Sequence, residues 1–451
     1  MLKTFIKIRK SVMLTIKALI VSAITLVFIE TWVNYYTNSL FDQNGNYLVV
    51  FSFVFLLILF GSLFSAFKIG IYRLSEIIYS FSLSVFVTNF MMYMELSLIA
   101  REMLDPIYLI ISTFIQASVG FVGAVCANTI YFKLYPPKEL LAIFGDDQAG
   151  FRLITRMNQI HHRFKIMRGV NINTEDVEKI KMLIDKYEGV LICDIDKTVA
   201  NKLYSYCYAH QKRIYMMPSV TDILISKSHQ IQIGDTVVIM GKNLGLSPEQ
   251  RFFKRTLDIL VSGIMLVFAS PFMLITALAI KLYDGGSILY KQERLTLNGK
   301  HFYVYKFRSM IENAEGKSGA VLASKSDSRI TPVGKFIRAT RLDELPQLIN
   351  VLKGDMSLVG PRPERPEIAE QYYENLPEFA YRLKTKAGLT GYAQLYGKYN
   401  TTPADKLKMD LIYIESYSIW LDIKLLILTF KILFMKESTE GIDQNKKTAE
   451  K

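Results

Sequence analysis

Three cysteines in 451 residues, Cys126, Cys193 and Cys207, are too few and too widely spaced for a disulfide framework or a zinc-ligand pattern, which makes a reducing compartment the default. Histidine is equally scarce. The five histidines lack metal-ligand spacing, and His161–His162, being adjacent, do not share a helix face. A P-loop is missing too, because Gly316-Lys317-Ser318 has Ile311 where the motif requires glycine. Gly145-Asp-Asp-Gln-Ala-Gly150 follows a strand-like run and opens a helix-like one, as a dinucleotide fingerprint does. Its middle glycine position is Asp147, which crowds and repels a pyrophosphate, so a tight strand–helix turn is favoured over NAD binding.

Apolar and cationic residues are abundant. Hydrophobic residues make up 51% of the chain and are gathered into runs, while a formal charge of +13 directs the soluble parts toward nucleic acid, anionic headgroups or phosphorylated substrates. Four runs, about Met13–Val33, Tyr47–Phe67, Glu76–Ile99 and Ile107–Phe132, approach the roughly 20 residues that a helix needs to cross a bilayer. Lys3, Lys7, Arg9 and Lys10 precede the first, Lys68 and Arg73 follow the second, and Lys133 and Lys138 follow the fourth. The other two loops carry no cation or only Arg101, so the N-terminus and everything after Phe132 are expected in the cytoplasm. Lys17 and Glu30 lie near the ends of the first run, where snorkelling accounts for them.

A fifth run, Leu257–Tyr283, has Lys254 and Arg255 before it and Lys281, Lys291 and Arg294 after it, so both flanks belong on the inside. At its middle Ser270–Pro271 predicts a sharp bend: proline removes a helix hydrogen bond, and the serine hydroxyl can bond a freed carbonyl. The economical expectation is a re-entrant helix over 257–283 that leaves on the side it entered; a plain kinked transmembrane helix is the alternative.

Between the membrane runs, Leu140–Gly145, Phe164–Gly169, Val190–Asp194 and Arg213–Met217 alternate with helical stretches and predict a small Rossmann-like parallel α/β domain over 136–250. Within it Asp194-Ile-Asp-Lys-Thr198 resembles the first motif of haloacid-dehalogenase-type phosphatases, but the stretch is too short to supply that family's remaining motifs.

After the fifth run come Tyr290-Lys-Gln-Glu-Arg294, Tyr305-Lys-Phe-Arg-Ser-Met310, Ile337-Arg-Ala-Thr-Arg-Leu-Asp-Glu-Leu-Pro-Gln347, a proline-stiffened Gly360-Pro-Arg-Pro-Glu-Arg365 and Ala387-Gly-Leu-Thr-Gly-Tyr-Ala-Gln394. Asp343 and Glu344 stand side by side, with Arg338 and Arg341 upstream and Arg362 and Arg365 downstream. Guanidiniums bind phosphate bidentately, and adjacent carboxylates beside them suit a divalent metal plus a nucleophile or base. Taken alone, the pair is explained as well by a salt-bridged helix end.

The ordered set of motifs from Lys254-Arg-Thr-Leu-Asp258 to about Lys436 resembles the bacterial sugar transferase family, the monotopic polyprenyl-phosphate hexose-1-phosphate transferases. The upstream spans, the α/β domain and an Asn243-Leu-Gly-Leu-Ser-Pro-Glu-Gln250 linker resemble the larger members that initiate exopolysaccharide or capsule synthesis. Thr296, where many members carry glycine, and Lys398, where arginine is common, depart from the pattern. The resemblance implies an α-helical membrane region plus α/β: four transmembrane helices over 1–135, the Rossmann-like domain, and a C-terminal α/β catalytic domain over 251–436, with a disordered tail from 437 to 451. It implies that Asp343 attacks a UDP-sugar, that Glu344 holds Mg²⁺, and that undecaprenyl phosphate accepts the sugar-1-phosphate. Arg338, Arg341, Arg362 and Arg365, with Lys306, Arg308 and Gln394 behind them, become the phosphate-binding candidates. Ser416–Phe434, with Trp420 and Lys424, suits a helix lying in the interface or one buried in the core. Membrane lipids are further partners, nucleic acid is not, and the size of the membrane and α/β regions is compatible with a homodimer. The place implied is the bacterial inner membrane, with the catalytic domain on its cytoplasmic face. A non-catalytic membrane scaffold or nucleotide-sugar sensor is the rival reading.

Overall fold

The computed structural model describes residues 2–36, 43–145, 148–160, 162–226, 228–241, 245–311, 329–397 and 401–433. His161, Asp147, the Gly316–Ser318 stretch, Lys398, part of the 243–250 segment and the C-terminal tail lie outside them. The chain divides into two compact units, Met1–Pro218 and Ser219–Lys451.

The first unit begins with helices α1 (Leu2–Tyr35), α2 (Gln43–Leu63), α3 (Leu74–Ala100) and α4 (Ile107–Leu134). Each packs on the next, and α4 closes on α1. Their shared interior holds Phe28, Trp32, Phe53, Phe81 and Met92, with Phe28 and Phe53 stacked at 4.0 Å. The interior also holds polar groups. Asn89 donates to Gln116 Oε1 at 2.8 Å, Gln116 to Ser112 Oγ at 3.0 Å, and Thr31 to Ser112 Oγ at 2.9 Å. Leu26, Phe51, Phe86 and Phe114 face outward instead. Polar contacts inside and apolar side chains outside are the arrangement of helices surrounded by lipid. By length and composition these four, and α9 below, are able to cross a bilayer, and the protein is a membrane protein.

Next come β1 (Lys138–Phe144), α5 (Gln148–Asn158), β2 (Phe164–Asn171), α6 (Val177–Ile184), β3 (Gly189–Cys193), α7 (Lys197–Ala209) and β4 (Arg213–Met216). The sheet is wholly parallel in the order β2-β1-β3-β4. Alternate residues of β1 and β3 serve its two faces: Leu141, Ile143, Val190 and Ile192 meet the α6–α7 side, while Leu140, Ala142 and Leu191 meet α5. Asp196 of the phosphatase-like motif is a helix cap, accepting from Thr198 N at 2.8 Å. Gly145 is required by a close approach, since a Cβ there would stand 2.5 Å from the Asp194 carbonyl oxygen. Cys193 and Cys207 are free and buried, and burial pushes both thiols up to about 11, which leaves them unreactive.

The second unit opens with α8 (Val220–Ser226) and the antiparallel hairpin β5 (His229–Ile233) and β6 (Thr236–Met240). Ile223 joins the core of this unit, which begins at Ser219. Then come α9 (Pro248–Asp284), the hairpin β7 (Leu289–Leu295) and β8 (His301–Phe307), α10 (Pro332–Ala339), α11 (Gln347–Lys353), β9 (Ser357–Val359), α12 (Pro366–Asn375), β10 (Gly388–Thr390), α13 (Tyr392–Tyr396), α14 (Pro403–Glu415) and α15 (Ile419–Leu433). Strands β9 and β10 pair in parallel.

The end of the segment read as a linker is the start of α9. Ser247 caps it reciprocally with Gln250, and Pro248 occupies its first turn. The helix is continuous through Pro271. Proline cannot donate to Val267 O, and Ser270 Oγ donates to that carbonyl in its place at 2.8 Å. Lys254 and Arg255, counted above as flanking charges, are used inside the fold. Lys254, 5% exposed, donates from Nζ to Asp422 Oδ2 at 2.6 Å, Val359 O at 2.8 Å and Tyr413 OH at 3.0 Å. Arg255 donates to Val351 O and Leu352 O, each at 2.6 Å, satisfying the last carbonyls of α11. One turn on, Asp258 accepts from Ser357 Oγ and Leu358 N, both at 2.9 Å. Helix α15 buries Asp422 and Leu425 and leaves Trp420 exposed.

Replacing Lys254 by Met strands Asp422 in the core and should cost about 3–5 kcal/mol, read as a lower midpoint in thermal unfolding of the solubilised protein. Tyr417→Phe removes a buried hydroxyl that has no hydrogen-bond partner among the described residues and should leave the midpoint unchanged or higher.

Candidate active site

Asp343 and Glu344 sit on a single 3-10 turn, Leu342–Glu344, between α10 and α11. The chain enters it through Arg341, whose φ of 58° is left-handed, a conformation costing a side-chain-bearing residue on the order of 1 kcal/mol. This reversal takes the chain out of α10 and sets the two carboxylates on the tight turn before Pro346. Both remain half-buried.

Their surroundings differ. Glu344 Oε1 accepts from Lys306 Nζ of β8 at 3.1 Å and from Arg362 Nη2 at 3.2 Å. Burial pushes its carboxyl up, but Lys306 and Arg362 outweigh that and hold it well below the usual carboxylate range. Among the described residues no hydrogen bond or ion pair reaches the Asp343 carboxylate. Burial, then the charge of Glu344, raise Asp343 to about 6 against the pull of Lys306, Arg338 and Arg341. Adjacent acids pushed apart in this way are suited to different chemical tasks. Among the described residues, the cations whose charge acts on the pair are Lys306, Arg338, Arg341 and Arg362. Arg338, at the end of α10, keeps a buried Nη1 with no hydrogen-bond partner among the described residues.

Arg362 is presented by the loop 360–365. Gly360 N donates to Thr390 O at 2.8 Å, and Leu295 N donates to Glu364 O at 3.0 Å, fixing the loop at both ends. A Cβ on Gly360 would lie 2.4 Å from Lys386 O, so only glycine allows this approach. The Glu364 carboxylate binds Lys406 and, at 3.2 Å, Arg382, whose other side pairs with Asp410 at 2.7 Å. Burial pushes Glu364 up, but Lys406 and Arg382 bring it down to about 2.

The bacterial sugar transferase family model matches residues 249–436 of this chain. Over 326 residues the chain is 32% identical to the UDP-N-acetylgalactosamine-undecaprenyl-phosphate N-acetylgalactosaminephosphotransferase of Aeromonas hydrophila, spanning 69% of this chain and 71% of that protein. The chain belongs to the bacterial sugar transferase family. It is also 38% identical over 317 residues to the UDP-glucose:undecaprenyl-phosphate glucose-1-phosphate transferase of Escherichia coli K12, covering 65% of this chain and 67% of that one. With the undecaprenyl-phosphate galactose phosphotransferase of Salmonella typhimurium the identity is 36% over 249 residues, 51% of this chain and 50% of the other.

Not every expected residue of the transferase converges on the pair. Lys306 and Arg362 touch Glu344, and Arg338 and Arg341 act on Asp343 through their charge. Arg308 is buried and bound to Asp284, tying the start of the chain after β8 to the end of α9. Arg365 stands at the N-cap position of α12. Gln394 lies in α13 beside Gly391, its Oε1 buried with no hydrogen-bond partner among the described residues. Thr296, the departure from glycine, compensates by bridging Asp355 O at 3.0 Å and Ala387 N at 3.2 Å through its hydroxyl. The supporting ions Glu364, Arg382 and Asp410 escaped the sequence reading. Only the unusual burial of charge in a helix such as α14 marks them, and that is a tertiary property.

Replacing Glu344 by Gln removes the negative neighbour and frees Lys306 and Arg362. Asp343 should then titrate below its value of about 6, toward the usual carboxylate range. Carbodiimide labelling of Asp343 against pH, followed by mass spectrometry, reads the midpoint; an unmoved midpoint assigns the shift to burial alone.

Proposed function

We propose that this protein is a phosphoglycosyl transferase. It moves a hexose-1-phosphate from a UDP-sugar to undecaprenyl phosphate, giving lipid diphosphate sugar and UMP, the first membrane step of exopolysaccharide or capsule synthesis. The observation that carries this reading is Asp343, a carboxylate with no hydrogen-bond or ion-pair partner among the described residues, set among four cations and beside Glu344, whose Oε1 takes Lys306 and Arg362. The transferase relatives, named for undecaprenyl-phosphate sugar phosphotransfer, support it.

In the first half-reaction an Asp343 oxygen attacks the sugar-linked phosphorus. The bond to the bridging oxygen breaks, and UMP departs with the electron pair, leaving an acyl phosphate. In the second, an oxygen of the lipid phosphate attacks the same phosphorus, the acyl–phosphate bond breaks, and the Asp343 carboxylate is restored. Burial favours this role, because a poorly solvated carboxylate gives up little hydration on attack. Arg362, Arg338 and Arg341 receive phosphate oxygens, and Lys306 keeps Glu344 anionic and in place.

Mg²⁺ is the proposed cofactor. Among the described residues no three acidic, histidine or cysteine side chains gather around one point. The adjacent carboxylates nonetheless fit a hard cation that keeps several waters and takes one or two carboxylates plus substrate phosphates. Glu344 would hold it, with Asp343 alongside. When bound, the ion neutralises charge on the departing phosphate.

The membrane arrangement completes the proposal. Both halves of α9 pack on the same unit, Val261 and Leu266 on its main core and Ala277 and Ile280 on Phe307 and Ile337. Between them Val267, Phe268, Phe272 and Ile275 are exposed and apolar. A helix crossing the bilayer would carry its far end away from that unit, which supports a re-entrant α9 with the four preceding helices as the spans. The catalytic unit lies at the cytoplasmic face of the inner membrane, where UDP-sugars are found. Accessibility labelling tests this: in a background without the native cysteines, Glu249→Cys and Ser287→Cys should react from the same side, and reaction from opposite sides would exclude re-entry.

The activity is tested by UMP release from a panel of UDP-sugars with lipid phosphate and Mg²⁺. Wild-type protein should release UMP with at least one donor, Asp343→Asn should release none, and the trapped phospho-sugar should map to Asp343. The attacking group must be ionised, and its folded value lies above the usual aspartate range. The kcat/KM for UDP-sugar should therefore hold above pH 7 and fall as the pH drops through about 6. An acid limb near pH 4 would show that the raised value does not govern the free enzyme.

A further inference from the structure

Strand β7 brings a second group of side chains to the site. In the β7–β8 register Tyr290 lies opposite Lys306, Gln292 opposite Val304 and Arg294 opposite Phe302. Alternation along the strand puts Tyr290, Gln292 and Arg294 on the hairpin face that carries Lys306, the lysine bound to Glu344. The three are joined. Arg294 Nη2 donates to Gln292 Oε1, and Gln292 Nε2 donates to Tyr290 OH at 3.3 Å. Arg294 Nη1 donates to the carbonyl of Pro363 at 3.0 Å, next to Arg362 in sequence. The backbone bond from Leu295 N to Glu364 O, at 3.0 Å, fastens the strand to that loop. Arg294 and Arg362 are thus carried by one rigid junction.

The partners that hold Arg294 are all neutral. Lys306 and Arg362 share Glu344, while Lys406 and Arg382 share Glu364, Arg382 also having Asp410. Arg294 has no carboxylate ion pair among the described residues, although it is half-buried. Burial, then the charge of Arg362, lower it to about 10, with Glu364 pulling the other way and Arg365 adding to the repulsion. A partly desolvated guanidinium held against like charge, with its orientation set by neutral acceptors, is costly until an anion arrives. The fork geometry of the guanidinium suits the oxygens of a phosphate.

We propose that Arg294 is a phosphate-binding residue of the transferase site, its guanidinium aimed by Pro363 O and Gln292 at a phosphate bound beside Arg362. This rests on the proposed phosphoglycosyl transfer. The phosphate belongs either to the nucleotide-sugar diphosphate or to the lipid acceptor, and a two-step mechanism separates them. Each substrate has its own kcat/KM, the donor's reporting the first half-reaction and the acceptor's the second.

The test uses the full chain in nanodiscs, with a UDP-sugar donor and undecaprenyl phosphate varied in turn. Arg294→Gln should lower one of the two kcat/KM values by about ten- to a hundredfold, the loss of one charge-assisted hydrogen-bonded contact. Loss confined to the donor places the diphosphate at Arg294; loss confined to the acceptor places the lipid phosphate there. Arg294→Lys keeps the charge and reach but lacks the fork, and should recover part of the loss. Unchanged values for both substrates overturn the proposal. So does an equal fall in both that accompanies a lower unfolding midpoint and is not relieved in Arg294→Lys, since that describes support of the loop alone. If the wild-type protein releases no UMP with any donor, the transferase reading itself fails; a fully active wild type with an indifferent Arg294→Gln removes only the present inference.

Discussion

The ion pair between Lys254 and Asp422 is the constraint on which the C-terminal unit depends. It joins the first turns of the long apolar helix α9 to the last helix, α15, and through Val359 O it also reaches the strand that precedes the Arg362 loop. Tyr413 closes the group, donating to Asp422 Oδ1 at 2.7 Å. Buried ion pairs contribute little net stability, but they tolerate few alternative packings because any shift leaves a charge uncompensated. With Asp258 on Ser357 and Leu358 and Arg255 on the end of α11, three residues of one helix face register α9 against the whole domain.

From that frame the site acquires its asymmetry. Asp343 and Glu344 are neighbours on one turn, yet their partners come from distant parts of the chain: Lys306 from a hairpin before them, Arg362 from a loop after them. Both cations go to Glu344. The consequence is one carboxylate that is occupied and strongly anionic beside one that is uncommitted and hard to ionise. Nothing intrinsic to aspartate or glutamate demands this division; it is imposed by where β8 and the loop 360–365 arrive.

The sequence was most legible where a segment's environment is uniform. Strands β1 and β3 are buried on both faces, and their apolar runs announce them, whereas β2 and β4 lie at the sheet edges and are largely exposed. The hairpin β5–β6 went unread although Ile231, Ile233, Val237 and Ile239 and the Gly234-Asp235 turn are hairpin signals; the runs are short and largely exposed, and no core reinforces them. Lys254 and Arg255 have a packing role that the sequence does not reveal. A lysine before an apolar run looks the same whether it marks a membrane flank or enters a core, and only the arrival of Asp422 and Val359 decides. Likewise Arg308 and Arg362 both stand in arginine-bearing motifs, but one is spent on Asp284 and the other reaches the carboxylates. Residue type and spacing identify the site; long-range pairing assigns its parts.

In the re-entrant arrangement proposed for α9, its two-ended attachment gives the surrounding bilayer a thermodynamic role. A crossing helix can be pulled or truncated without disturbing a domain at one end of it. Here the exposed stretch from Val267 to Ile275 is closed at both ends by the same folded unit, so withdrawing it from lipid would expose Phe268 and Phe272 to water while both anchors stay made. Lipid therefore behaves as a ligand of the folded state, stabilising it by linkage as a bound molecule would. For this unit, stability and solvent cannot be specified separately.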